Sequence, residues 1–253
     1  MRTPDSIKYK VIKPEPALSD FVEGVWMLEN TADTAHDIVV LPNGRFDIIF
    51  LILPNGPYHA AQMGLETEPS QASIPAKAIL FAISFKLLAI EYLLDKKAAS
   101  IVNTAVVLPN DFWGITTANL NSLENFYEKV SVKMISLIKP GIDSRKQKLF
   151  DLIYSSKGVL SVRELSEKVF WSSRQINRYF NEFFGISLKS YCNILRFEES
   201  LPYITAGKLF PELNFTDQNH FIKEVKKYSG VIPKELFRNK NDRFLLFHPM
   251  PKK

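Results

Sequence analysis

The feature that most constrains this chain is a repeat of two short amphipathic segments. Residues 172–185 (SSRQINRYFNEFFG) align, after a shift of 45 positions, with residues 217–230 (DQNHFIKEVKKYSG). Each segment begins with a residue type that caps helix N-termini and ends with the Gly that accepts a left-handed conformation. Apolar residues recur between these ends at helical spacing. Two copies are too few for a solenoid, so the repeat predicts two similar helical units placed side by side.

The first segment carries, on its outward face, side chains of the kind that read DNA bases. It follows a short segment with an apolar stripe, residues 161–169, and together they have the helix-turn-helix pattern. Arg, Asn and Gln hydrogen-bond base edges in the major groove. The same composition also suits an ordinary solvated surface helix, and that alternative stays open. The outward residues are Arg174, Gln175, Asn177, Arg178 and Asn181.

The net charge of +5 is concentrated in the half that contains the repeat. Residues 1–141 contain 12 Lys and Arg against 15 Asp and Glu, whereas residues 142–253 contain 20 against 12. The two halves therefore carry charges of −3 and +8. A basic region joined to a slightly acidic one indicates a polyanionic partner, with solubilising surface charge as the alternative.

The composition limits which classes of protein and which cellular compartments fit this chain. Hydrophobic residues make up 46% of the chain, which predicts a sizeable core. No apolar run is long enough to span a membrane, and the N-terminus lacks the apolar stretch of a secretory signal. The single Cys192 cannot form an internal disulfide, as is usual in a reducing compartment. We therefore expect a cytoplasmic protein without a membrane partner.

The first 110 residues contain mainly short strand-like runs separated by turns. An Asn-Gly turn at 43–44 separates runs at 38–41 and 46–53, which predicts a hairpin. The polar segment 66–75 predicts a loop. We expect a small antiparallel barrel or sandwich. Further strand-like runs are 9–12, 21–28, 59–63 and 77–85.

Helical patterns dominate the rest of the chain. Residues 121–138 carry apolar residues on one face, which suits either the core or contact with a partner chain. A Lys-Pro-Gly sequence at 139–141 then breaks the pattern and predicts a boundary between domains 1–140 and 141–253. The helices predicted after it are 143–156, 161–169, 172–185, 188–203, 209–213, 217–228 and 231–237.

The second half also contains three motifs in a fixed order. They are Gly185-x-Ser187 followed by Tyr191 and Arg196-Phe197, then NFTDQNHF at 214–221, and then VKKYSGVIP at 225–233. In order and spacing, residues 143–238 resemble the DNA-binding domain of the AraC family of bacterial transcription regulators.

This resemblance implies an α+β chain of two domains. The first is mainly antiparallel β, a cupin-like barrel or sandwich with helices. The second is all-α, with two helix-turn-helix units joined by a long helix. Its expected parts are a first unit at about 143–186, a linker helix at about 187–204, a second unit at about 208–238 and a basic tail at 239–253.

The resemblance also implies which residues face DNA. They are Ser173, Arg174, Gln175, Asn177 and Arg178 in the first unit, and Gln218, Asn219, His220 and Lys223 in the second. The second unit departs from the family pattern in two ways. The stretch between Arg196 and Leu209 is shorter than in the family, and Pro211 interrupts the first helix of the unit. An alternative is therefore a ligand- or protein-binding module whose DNA binding is weakened in the second unit.

The N-terminal half shows a further resemblance. LPNGRFDIIF at 41–50 is similar to a run in the sensory domains of one AraC subgroup, which are cupin-like and often dimerise. The implied partners are double-stranded DNA, RNA polymerase, a small-molecule effector and a second copy of the chain. Six aromatic residues are candidates for an effector pocket, with simple core filling as the alternative. They are Trp26, Phe46, Phe50, Tyr58, Phe81 and Phe85.

An enzyme is the remaining rival. Metal chemistry needs clustered His and carboxylate ligands, and only His36, Asp37 and His59 are candidates to converge in the first half. No nucleophile triad, Gly-rich phosphate loop or CxxC motif is present. Asp47 beside Arg45 suggests a surface or barrel-mouth pair. We expect a protein that is not an enzyme and uses no cofactor or metal.

Overall fold

The computed structural model describes residues 5–210, 217–239 and 244. Its N-terminal part contains an antiparallel six-stranded sheet in the order β1-β2-β7-β4-β5-β8, and a separate two-stranded sheet formed by β3 and β6. The rest of the described chain is helical, so the prediction of an α+β chain with a β-rich first part is confirmed at this level. The strands are β1 Ile7–Ile12, β2 Val22–Asn30, β3 His36–Val40, β4 Phe46–Ile52, β5 His59–Met63, β6 Ser70–Ile74, β7 Ile79–Phe85 and β8 Ala105–Leu108.

The two faces of the large sheet differ because side chains alternate along each strand. In β4, Phe46 and Phe50 are fully buried on the face that a long helix covers. The ring of Phe126 from that helix lies 5.4 Å from the ring of Phe50. The opposite face packs against the two-stranded sheet through a smaller cluster that includes Trp26 and Ile38.

The helices follow the predicted segments closely. Residues 209 and 210 are not helical, and the rest of the predicted helix 209–213 lies outside the described residues, as does most of the tail 239–253. The α-helices are α1 Leu88–Tyr92, α2 Leu123–Leu137, α3 Ser144–Ser155, α4 Val162–Val169, α5 Ser173–Phe184, α6 Leu188–Thr205, α7 Gln218–Ser229 and α8 Pro233–Arg238.

Two predictions about the β region are wrong. The Asn43-Gly44 turn does not close a hairpin, because β3 pairs with β6 whereas β4 pairs with β5 and β7. The turn instead carries the chain from one sheet to the other. The predicted loop 66–75 contains strand β6, which pairs with β3 along its whole length. Its exposed, polar face gave no hydrophobic pattern from which a strand could be predicted.

The sequence repeat has a structural counterpart in α5 and α7, which are 12 residues long each. The side chain of Ser172 accepts a hydrogen bond from the backbone of Gln175, and that of Asp217 from the backbone of His220. Both helices end at a glycine in the left-handed region, with φ of 72° and 77°. The cap chemistry that predicted the two helices is therefore confirmed.

One buried cluster extends through both halves of the chain. On the helical side, the ring of Phe150 in α3 packs against those of Tyr179, Phe180 and Phe184 of α5 in tilted and edge-on arrangements, at centroid distances of 5.9 to 6.4 Å. The predicted boundary at 139–141 therefore lies between two parts of the chain that share one buried cluster.

Cys192 of α6 is buried in this core, and burial raises the pKa of its thiol to about 12. The thiolate is the reactive form, so we expect iodoacetamide to modify the native protein about 100-fold more slowly than the urea-unfolded chain. Timed labelling followed by mass spectrometry measures both rates. Equal rates in the two states would contradict this placement of Cys192.

Candidate nucleic-acid interface and interior cavity

The outward face of α5 is open to solvent. Arg174, Gln175 and Arg178 are exposed, while Ser173 and Asn177 are half-buried. Arg174 and Arg178 are four residues apart, so their side chains lie one above the other on one face of the helix. Within the described part of the chain, no hydrogen bond or ion pair engages either guanidinium. Two cations with rigid donor geometry are thus presented together on an accessible face.

The two amide side chains on this face already make local hydrogen bonds. The Gln175 Oε1 atom accepts from the backbone N of Ser172 at 3.2 Å and from its hydroxyl at 2.7 Å, which completes a capping box. The Asn177 Nδ2 atom donates to the carbonyl of Ser173 at 3.1 Å. These amides stabilise the first turn of α5, so the arginines are the groups on this face best placed to contact a ligand.

The start of α7 offers a similar but less basic surface. Gln218, Asn219 and Lys223 are exposed, and His220 is half-buried. The backbone N of His220 donates to Asp217 Oδ1 at 2.8 Å, which fixes the first turn. All four residues predicted for the second unit therefore lie along the first part of one helix.

The C-terminal end of α5 is fixed by the N-terminal half. The backbone N of Ala98 donates to the carbonyl of Phe183 at 2.8 Å, and Lys97 forms an ion pair with Glu182 at 2.5 Å. The hydrogen bond from Lys97 lowers the pKa of Glu182, an effect to which the nearby charge of Arg178 adds. The predicted base-reading helix is thus attached to the β-rich half at one end and exposed at the other.

A second attachment lies beneath α5. Glu91 of α1 accepts from Lys146 Nζ of α3 at 2.6 and 2.8 Å and from the Tyr179 hydroxyl of α5 at 2.9 Å. The Lys146 ammonium also lies 4.6 Å from the centre of the Tyr179 ring. Burial and the charge of Glu91 raise the pKa of Tyr179 well above its ordinary value, so Tyr179 stays a neutral donor.

The linker helix α6 contacts the turn between β3 and β4. The Tyr191 hydroxyl donates to the carbonyl of Gly44 at 3.0 Å. Gly44 has φ of +70°, and an added Cβ there would lie 2.9 Å from a methyl group of Leu195. The positive φ therefore favours glycine at this position, which α6 also approaches closely.

The neighbouring Arg45 is a buried cation between the two halves. Its Nη2 atom lies 3.1 Å from Glu23 Oε2 in β2, and its Nη1 atom lies 4.0 Å from Glu198 Oε2 in α6. Burial by itself lowers the pKa of Arg45, but the charges of Glu198 and Glu23 more than offset this and raise it above its ordinary value. Arg45 is therefore charged and joins the β region to the linker helix.

A cavity of about 490 Å³ lies between the two sheets and reaches α6. That volume is within the range of small-molecule sites. Its wall from α6 consists of Glu198, Leu201 and Pro202. Its apolar wall consists mainly of Trp26, Leu28, Ile38, Val40, Ile49, Ile74 and Leu80, and its charged groups are Arg45, Asp47, Glu66 and Glu198.

The structure places the six predicted pocket aromatics on two different faces of the large sheet. Trp26 lines the cavity. Phe46, Phe50, Tyr58, Phe81 and Phe85 lie in the main core on the other face, where rings such as Phe126 pack against them. These five therefore fill the core and do not line a common pocket with Trp26. The alternation within β4 carried the relevant signal, because Asp47 and Ile49 must face away from Phe46 and Phe50.

The residues named as possible metal ligands do not form a group. His36 and Asp37 lie on β3 in the small sheet, whereas His59 lies on β5 in the large one. Among the described residues, no three His, Cys, Asp or Glu side chains are arranged to hold a metal ion. Likewise, none of the described helices combines the length and apolar character required to cross a lipid bilayer.

Comparisons with known proteins give limited matches. A family model described as Domain of unknown function (DUF6597) matches residues 10–107, which is less than half of the chain. A search of curated proteins finds no match.

Solved structures of ToxT from Vibrio cholerae give low TM-scores. An apo form from strain SCE256 has a TM-score of 0.43 at 13% identity, covering 94% of this chain and 99% of that one. A complex of ToxT with (E)-4-(8-methylnaphthalen-1-yl)but-3-enoic acid has a TM-score of 0.42 at 14% identity, covering 92% and 99%. Unsaturated fatty acid bound wild-type ToxT has a TM-score of 0.38 at 15% identity, covering 94% and 97%.

Proposed function

We propose that this chain is a sequence-specific DNA-binding transcription regulator of the AraC type. The observation that carries the proposal is the pair Arg174 and Arg178, exposed on one face of a capped helix in the basic half. Arginine forms two hydrogen bonds with guanine in the major groove. A short turn connects α4 to α5, as in a helix-turn-helix. Phosphate contacts from the basic half supply most of the affinity, and base contacts supply specificity.

The second unit contributes a second reading helix. α7 repeats the length and both caps of α5 and exposes Gln218, Asn219 and Lys223 near its start. Amide side chains suit adenine, and Lys223 suits a phosphate or guanine. Two such helices would enter successive major grooves on one face of a duplex, about 34 Å apart.

The N-terminal half serves as a sensor. The cavity is closed on one side by Glu198, Leu201 and Pro202 of the helix that connects the two units. Arg45 lines the same cavity and pairs with Glu198. A ligand in the cavity therefore contacts the linker helix. A ligand that binds more tightly to one of two positions of that helix would shift the protein toward that position and so change its affinity for DNA.

Selection from random duplex DNA with the full-length protein tests the function. We expect an enriched motif of two short blocks about 10 base pairs apart, one for each helix. A single block would mean that only the first unit reads bases, as the shortened second unit allows. Recovery of no enriched motif would contradict sequence-specific binding.

Substituting Arg178→Ala is expected to weaken binding to the selected duplex by about 1–3 kcal/mol, because a bidentate base contact is lost. Binding to a scrambled duplex of the same length should change much less. Fluorescence anisotropy titrations with both duplexes at one fixed salt concentration measure the two losses.

Lys129→Ala is the matched control, because Lys129 is exposed on α2 and its removal changes net charge equally. It should leave both affinities nearly unchanged. Equal losses of Arg178→Ala on selected and scrambled DNA would show that Arg178 touches only phosphate.

A further inference from the structure

A stripe of three charged residues runs along the open face of α5. Arg174, Arg178 and Glu182 are spaced four residues apart, so their side chains lie one above the other on the helix. All three are exposed. The stripe therefore places a carboxylate directly beside one of the two guanidinium groups that the proposed function assigns to DNA.

This carboxylate is a competitor for Arg178. Opposite charges at positions i and i+4 of an exposed helix attract one another and form ion pairs. A guanidinium that bonds Glu182 has fewer N–H donors left for a base or a phosphate. Taken by itself, α5 would therefore limit the contact that Arg178 makes with a duplex.

In the structure, Glu182 is paired with a residue of the N-terminal half. Lys97 Nζ donates to Glu182 Oε1 at 2.5 Å, and the same ammonium lies 5.4 Å from the centre of the Phe183 ring. The hydrogen bond from Lys97 lowers the pKa of Glu182, which is therefore ionised. Within the described part of the chain, the Arg178 guanidinium makes no hydrogen bond or ion pair.

Backbone contacts hold Lys97 against α5, which matters because an exposed ion pair alone is weak. The next residue, Ala98, donates its backbone N–H to the carbonyl of Phe183 at 2.8 Å. A Cβ added at Gly185 would lie 2.8 Å from the carbonyl oxygen of Ala99, so the two backbones approach closely. The segment itself thus brings the ammonium to the end of α5.

We propose that Lys97 is a positioning residue for DNA recognition, because it occupies the carboxylate of Glu182 and so leaves Arg178 to contact the duplex. This inference deepens the proposed DNA-binding function and rests on it. It makes the DNA affinity of the helical half depend on a residue of the β-rich half. It involves no covalent step and no further ligand.

Substituting Lys97→Met is expected to weaken binding to the selected duplex about twofold to threefold at low ionic strength, because Glu182 then pairs with Arg178. The loss should shrink as salt is added, since the competing pair is exposed and therefore screened. Lys97→Arg keeps a cation at this position and should bind like the unsubstituted protein. Fluorescence anisotropy titrations with the full chain measure each dissociation constant.

Lys96→Met is the matched control for charge. Lys96 is exposed and adjacent in the sequence, and its removal changes the net charge equally. No ion pair among the described residues includes Lys96, so this variant should keep its affinity. An equal loss in Lys96→Met and Lys97→Met would mean that only net charge matters and would overturn the inference. Circular dichroism establishes that each variant is folded.

Double substitutions show whether Lys97 acts through its partner or touches DNA itself. In Glu182→Gln protein, removal of Lys97 should change the affinity by less than about 1.5-fold, because no carboxylate is left to capture Arg178. In Arg178→Ala protein the removal should have an equally small effect, because the captured group is absent. A direct contact of Lys97 with a phosphate would instead cost the same affinity in all three backgrounds.

Further results that would overturn the inference are an unchanged affinity of Lys97→Met, a Lys97→Arg variant as weak as Lys97→Met, or an equal loss in all three backgrounds. Weaker binding by Glu182→Gln alone would also overturn it, because Glu182 would then contact a base itself. These results leave the DNA-binding proposal standing, because selection from random DNA tests it separately. Selection that enriches no motif would reject both proposals.

Discussion

Replacing Gly158 with alanine is expected to lower the free energy of unfolding by roughly 3–4 kcal/mol. Gly158 follows α3 with φ of +73°, a conformation that costs an alanine energy. Its added Cβ would lie 2.3 Å from the carbonyl oxygen of Cys192 in α6. That oxygen belongs to helical backbone and cannot move aside as a side chain can, so α3 and α6 must separate.

Gly141→Ala is the matched control for this prediction. Gly141 has φ of +75°, but an added Cβ there meets no atom within 4 Å. Its substitution should cost only the conformational part, about 1–2 kcal/mol. Urea unfolding of both variants measures the difference, and equal losses would contradict the close contact between Gly158 and α6.

Arg45→Met is expected to cost about 3 kcal/mol, because it removes the buried cation that faces the partly buried carboxylates of Glu23 and Glu198. The Arg45 side chain is 7% exposed and that of its partner Glu198 is 14% exposed. Adding Glu198→Gln to Arg45→Met should recover part of the loss, because one of the two negative charges that face Arg45 is then removed. The same urea titrations provide the measurement.

Arg145→Met supplies the comparison for a surface pair. Arg145 bonds Asp143 at the start of α3, but its side chain is half exposed, so its loss should cost much less than the loss of Arg45. A loss at Arg45 as small as that at Arg145 would show that Arg45 does not connect the β region to α6 energetically.

The helical half was predictable because its signals are local. Ser172 and Asp217 cap helices through their own side chains, and Gly185 and Gly230 end them in a left-handed conformation that glycine adopts without steric cost. Neither signal depends on what the rest of the chain does. The positions of α5 and α7 were therefore predicted almost residue by residue.

The β half was less predictable because strand pairing is non-local. Asn43-Gly44 has the composition of a hairpin turn, yet α6 packs against Gly44 and the flanking strands enter different sheets. Strand β6 has no apolar pattern of its own and is a strand because β3 supplies its backbone partners. Because such a pairing depends on distant residues, a short segment of the sequence contains no signal from which it could be predicted.

Only part of the candidate site could be predicted, because the rest of it also depends on residues that are distant in sequence. The exposure of Arg174 and Arg178 follows from helix periodicity and was foreseeable. The cavity was not, because its lining combines Trp26 with Asp47, Glu66 and a side of α6 that are far apart in sequence. Five of the six aromatic residues proposed for a pocket fill the core, whereas Asp47, which alternates with Phe46 in β4, lines the cavity.

Tethered DNA cleavage tests most directly whether α5 faces the duplex. Because Cys192 is buried, an iron chelate can be attached selectively through Asn181→Cys on α5, or through Lys129→Cys on α2 as the control. With the duplex enriched by selection, the chelate on α5 should cut next to one motif block, and that on α2 should not cut there. Absence of cleavage from α5 while the labelled protein remains bound, or cleavage from α2 instead, would contradict the account.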